Sequence, residues 1–191
     1  MMPMQRTQAP QSLKDNYRKW GREYKEKLNN PNVNNDFSWK GKYQEITSEL
    51  FEITKNHCCF CDIHPLKASG ATVEHFRPKS AFPLVSYVWE NLFYCCTNCQ
   101  KKGSKFPLDF KLLKPDQVSY SFSYYFIYNF STGIIKTNPM RSFSEKKRAE
   151  NNIELYGLNK YGRPEARVLE RKKFLDANNP NIESYSFRFI L

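Results

Sequence analysis

Six cysteines and three histidines are the side chains of this sequence best suited to bind a metal or move a proton, and all nine stand between His57 and Cys99. "CCFC" pairs Cys58 with Cys61, and "CCTNC" pairs Cys96 with Cys99, with 34 residues between the two C-x2-C spacings. Each pair can place two thiolates on one tight turn, and two pairs can close a tetrahedron around Zn²⁺ at about 2.3 Å per sulfur. Such a zinc is structural, because four protein ligands leave no position for water or substrate. Independent buried cysteines are the alternative, and two coincident spacings argue against it. Cys59 and Cys95 adjoin ligands and read as apolar filler, while His57 is an alternative ligand in a Cys3His set.

Between the two pairs lies "ATVEHFRPKS", in which His75 follows Glu74 and precedes Arg77 and Lys79. A histidine titrates near neutrality, so His75 could serve as a base, a metal ligand or an ordinary satisfied side chain. His64 belongs to no motif and reads as a loop residue. Arg77, Lys79, Lys101, Lys102 and Lys105 are candidates to hold phosphate, through contacts that position a strand without reading its sequence. Each could equally be surface charge.

Helices and strands must bring these residues together. Leu13, Tyr17, Trp20, Tyr24 and Leu28 recur at helical spacing from Ser12 to Leu28, and "NNPNVNND" then makes a loop. A second helix covers Tyr43–Thr54, with Ile46, Leu50 and Ile53 on one face. Thr72 and Val73 suggest a short strand, "YVWENLFY" a second, and a helix begins near Cys96. The result is a ββα unit whose two ends the zinc would tie. Tyr120–Thr137 alternates and breaks at Ser131-Thr132-Gly133, as a β-hairpin does. Ser144 caps a helix running to about Tyr156 and closed by Gly157; Lys147 stands at the capping-box position, so this start rests on the cap alone. A last helix runs from Pro164 to Asp176, stopped by "ANNPN". The expected organisation is a helical flank (1–56), a core (57–115) and a hairpin with C-terminal helices (116–191), packed as one α+β unit.

At 191 residues, 40% of them hydrophobic and 16% aromatic, the chain can bury a core, which excludes global disorder. Thirty lysines and arginines against 19 acids give a net charge of +11, favouring a polyanionic partner. That excess is spread thinly: +3 over residues 1–56, +4 over 57–115 and +4 over 116–191. Arg167, Arg171, Lys172 and Lys173 on the last helix read as a solvated face. No stretch approaches the roughly 20 apolar residues of a membrane span, and the first residues lack the apolar core of a secretory signal. The expectation is a cytoplasmic protein without membrane contact, whose thiols stay reduced and available to metal.

The order C-x2-C, "EHFRPKS", "WENL", C-x2-C followed by a polar residue and lysines resembles the HNH endonucleases, the ββα-metal nucleases. More closely it is similar to the HNH nucleases that stand beside an ATPase in bacterial Septu and retron antiphage systems. "KWGREYKEKL" and "RAENNIELYGLNKYGRPEAR" carry the likeness, less specifically, into the flanks. The resemblance implies a metal-dependent nuclease hydrolysing phosphodiester bonds of DNA, or of RNA, with a zinc-stapled core. It makes His75 the base that deprotonates water and Glu74 a ligand of a catalytic Mg²⁺ or Mn²⁺. Such an ion suits carboxylate and amide oxygens, and it would neutralise the departing 3′ oxygen. Asn91 falls on the middle motif position, where asparagine orients the catalytic loop; its plainer reading is an Asx turn. Gln100 departs from the histidine or asparagine usual after the last cysteine, and offers metal a carbonyl oxygen but no imidazole. A partner ATPase, and a retron reverse transcriptase complex, are the implied assembly. A zinc-stapled binding or adaptor module without catalysis is the competing expectation.

Overall fold

Chain chemistry explains most element boundaries in the computed structural model, which describes all residues except 31, 33, 35, 67, 69 and 102–111. Helix α1 (Gln11–Leu28) begins after Pro10 and turns Leu13, Gly21 and Tyr24 inward. Gly21 is required by packing rather than by backbone twist. A Cβ there would lie 2.7 Å from the carbonyl oxygen of Leu84, in the 3-10 turn Pro83–Val85 that rests on α1. Helix α2 (Tyr43–Thr54) buries Ile46, Leu50 and Thr54 and ends where Lys55 turns left-handed.

Strand β1 (Ala71–His75) pairs antiparallel with β2 (Leu92–Cys96), placing Thr72 opposite Cys95, Glu74 opposite Phe93 and His75 opposite Leu92. The second strand starts later than its sequence suggests. Trp89–Asn91 form a 3-10 turn, because the Asn91 amide donates back to the Val88 carbonyl at 2.9 Å instead of joining the ladder. One helical turn, α3 (Thr97–Gln100), follows β2 directly.

Beyond the core, a single turn of helix, α4 (Phe122–Tyr125), leads into β3 (Phe126–Tyr128), which pairs with β4 (Ile135–Thr137). The predicted hairpin is therefore shorter than Tyr120–Thr137, although it does reverse around Ser131–Gly133. Gly133, at φ +72°, abuts Pro164 so closely that no Cβ would fit. Helix α5 (Phe143–Leu155) is capped by Ser142, not Ser144, and the cap is a full box: Ser142 and Glu145 each bond the other's backbone. The correction follows from spacing, since Glu145 stands three residues after Ser142. Helix α6 (Arg163–Asp176) completes an α+β architecture in which the two small antiparallel sheets remain separate. Among the described residues no helix is long and apolar enough to cross a membrane.

The expected segments are laced together. Arg6 pairs with Asp116 at 2.6 Å, Asp62 pairs with Arg188 at 2.7 Å, and Asn152 of α5 bonds both the amide and the carbonyl of Leu113.

Candidate metal centre and the His75 loop

The first cysteine pair forms a turn locked to β2. The Cys59 amide donates to the Tyr94 carbonyl at 2.9 Å, and the Asp62 amide returns to the Cys58 carbonyl at 2.8 Å. The second pair spans the β2–α3 junction, so Cys96 closes the strand and Cys99 lies one helical turn on. The Sγ atoms of Cys58, Cys61, Cys96 and Cys99 lie within 4.8 Å of one another, and all four residues are buried. Cys61 and Cys96 approach to 3.7 Å between sulfurs, against about 3.8 Å for two corners of a tetrahedron with 2.3 Å metal–sulfur bonds. The four cysteines can therefore hold a structural metal such as zinc.

The electrostatics of the four thiols are uneven. Burial pushes the Cys58 and Cys99 thiols up, whereas Cys96 is pulled down by hydrogen bonds from Cys58, Cys61 and Cys99. Arg163, itself buried, directs one guanidinium nitrogen at Cys99 Sγ (3.3 Å) and Cys96 Sγ (3.6 Å). No described carboxylate lies within ion-pair distance of Arg163, and a buried cation without an anion is costly. Cysteine sulfur is the partner the site supplies. Cys59 and Cys95 are buried outside this cluster, and their thiols are pushed up by burial. His57 is not a ligand either. Its Nδ1 faces the carbonyls of Thr54 and Lys55 and its Nε2 the carbonyl of Tyr185.

His75 ends β1 at 5% exposure, stacked on Trp39 (5.3 Å between centroids) and edge-on to Phe37 (5.0 Å). Its Nε2 lies 3.0 Å from the Ser86 carbonyl oxygen. A carbonyl can only accept, so in this contact Nε2 carries the proton. Asn91 ties down the intervening loop: Oδ1 accepts from the Arg77 amide (2.7 Å), and Nδ2 donates to the carbonyls of Arg77 (3.1 Å) and Val85 (3.0 Å). Glu74, at 7% exposure, alternates to the face of the sheet opposite His75. It shares that face with Thr72, whose Oγ1 accepts from Gln100 Nε2 at 3.0 Å.

Arg77 is exposed with its guanidinium over Phe82, Lys79 sits over Phe37 at 5.3 Å, and Lys101 is exposed. Lys102 and Lys105 lie outside the described residues. Arg167 corrects the expected solvated face: it is fully buried, donating to the carbonyls of Gly133 and Leu158. Nothing in the spacing of Arg163 links it to cysteines more than sixty residues away, so its place at the cluster is a product of the fold. Among the described residues no second group of three or more histidines, cysteines and carboxylates converges. Comparison with the known protein families, and with curated proteins, gives no match.

Proposed function

We propose that the chain is a metal-dependent HNH endonuclease. The observation that carries this reading is the position of His75, at the end of a hairpin held between two cysteine pairs, with Nε2 committed to the Ser86 carbonyl. Hydrolysis of a phosphodiester needs a base placed to take a proton from water. A histidine of fixed tautomer on a rigid hairpin meets that need. Glu74 and Gln100, on one face, are the oxygen donors that would hold Mg²⁺ or Mn²⁺, an ion that supplies charge stabilisation to the leaving oxygen. Asn91 keeps the His75–Ser86 loop in register, and Arg77, Lys79 and Lys101 offer charge to a nucleic-acid backbone. The system-level part of the reading is defence against phage beside an ATPase partner, with a retron complex as one such setting; it rests on the resemblance of the motifs.

A second reading has its own observation. His75 and Glu74 are both nearly buried and face away from each other, as suits a stapled binding module without catalysis. Plasmid incubated with the protein and Mg²⁺ or Mn²⁺, beside a His75→Ala control, separates the two. The nuclease reading expects cleavage that needs the added ion and falls roughly 10²–10⁴-fold in the variant. Equal cleavage by both proteins removes His75 as the base. Binding without cleavage, under either ion, favours the module.

A further inference from the structure

We infer that Arg163 is the charge-compensating residue of the four-cysteine centre, and that through it metal occupancy controls how firmly the α5–α6 junction docks on the core. The inference rests on the centre being metal-loaded. Four thiolates around one divalent cation carry two net negative charges, here in a site where all four cysteines are buried. The guanidinium supplies the opposite charge and does so asymmetrically. Nη2 points at Cys99 and Cys96, both of the second pair, while Nη1 donates to the carbonyls of Tyr156 (2.5 Å) and Gly157 (2.8 Å).

Those two carbonyls follow the last residue of α5, at the negative end of its dipole, and Arg163 is itself the first residue of α6. One side chain thus joins the metal centre, the end of one helix and the start of the next. Its planar fork permits this, whereas a lysine ammonium could not serve both sets of acceptors in the same geometry. Asn152, in the last turn of α5, is anchored separately to Leu113, so the coupling is confined to the residues beyond it.

The test uses the 191-residue chain, loaded with Zn²⁺ or Co²⁺, as parent, Arg163→Gln and Arg163→Lys. Hydrogen exchange is followed with metal bound and after removal by a chelator. In the parent, metal removal should speed exchange at residues 156–167 at least ~10-fold, while residues 149–153 keep their protection. In Arg163→Gln the junction should exchange fast even with metal bound, and the chelator should extract metal about 10–100-fold faster, the usual effect of losing an outer-shell partner. The sulfur-to-Co²⁺ charge-transfer band should move to longer wavelength, because an unbonded thiolate gives up its electrons more easily; a purely helix-capping role would leave that band in place. Arg163→Lys should keep part of the metal retention and little of the junction protection.

The inference is overturned if extraction rate and band position are unchanged in Arg163→Gln. It is overturned equally if metal removal from the parent leaves residues 156–167 protected, or loosens 149–153 to the same extent. The parent comparison stands even if the variant does not fold. A parent that takes up neither ion fails at the metal centre itself, a different result from failure of Arg163.

Discussion

Asn91 has both polar atoms of its side chain in use inside the protein, and its contacts are all to the backbone of one loop. Truncation to alanine would leave the Arg77 amide and the carbonyls of Arg77 and Val85 without their partner, a loss of about 1–3 kcal/mol for buried groups. Asn91→Asp is the sharper change. It keeps size and shape but turns a second oxygen toward two carbonyl oxygens, so it should lower the urea midpoint further than alanine does at neutral pH. Chemical denaturation of the two variants beside the parent gives the order, and an aspartate variant as stable as the parent would remove the loop-tying role. Zinc content should not change in either, since neither touches the cysteine pairs.

At the scale of elements, α1 acts as the bed on which the Pro83–Val85 turn lies, and that turn positions the carbonyl of Ser86 against His75. Gly21 sets the distance, because its missing side chain lets the helix meet the Leu84 backbone directly. Gly21→Ala adds a methyl 2.7 Å from a carbonyl oxygen. Helix propensity favours alanine by about 1 kcal/mol, whereas forced overpacking costs typically 1–3 kcal/mol. The net expectation is a modest loss of stability with a larger effect at His75, read as a changed imidazole chemical shift. A variant more stable than the parent with an unshifted His75 resonance would show that α1 and the turn can part freely.

Residues 186–188, far along the chain, return to the first cysteine turn. Phe187 donates its amide to the Asp62 carbonyl, Arg188 pairs with the Asp62 carboxylate, and Ser186 exchanges hydrogen bonds with the backbone of His64. His64 stacks on His57 with ring centroids 4.5 Å apart. Burial, and then the neighbouring His57, hold its pKa below the ordinary value of 6.5, with Ser184 and Asp62 opposing and Arg188 adding to the shift. The folded value lies below the unfolded one, so the unfolded chain takes up the proton first. Stability is complete above about pH 6.5 and declines as pH falls toward the folded value. Thermal unfolding between pH 8 and pH 5 should therefore show a steeper acid loss in the parent than in His64→Gln. Identical slopes would mean that His64 titrates alike in both states.

Local chemistry made several features legible from residues alone. The paired C-x2-C spacing announced four convergent thiols because a turn of four residues fixes its own geometry, and the convergence to within 4.8 Å follows from two such turns meeting. The long helices were legible from the period of Leu13, Tyr24, Ile46 and Leu50. Tertiary structure decided what depends on partners distant in the chain. "YVWEN" has strand-like composition, yet Asn91 bonds across the loop to Arg77 and Val85, and the strand begins only at Leu92. Arg167 looks like surface charge in a basic helix, and Arg163 stands in no motif. Their burial became visible only when the carbonyls of Gly133, Leu158, Tyr156 and Gly157, and the sulfurs of Cys96 and Cys99, stood around them. Which residues can bind a metal or a proton is legible in residue identity, because that is a property of the side chain. Only the fold decided which are buried, paired and aimed, because desolvation and hydrogen bonding depend on neighbours that chain order does not record.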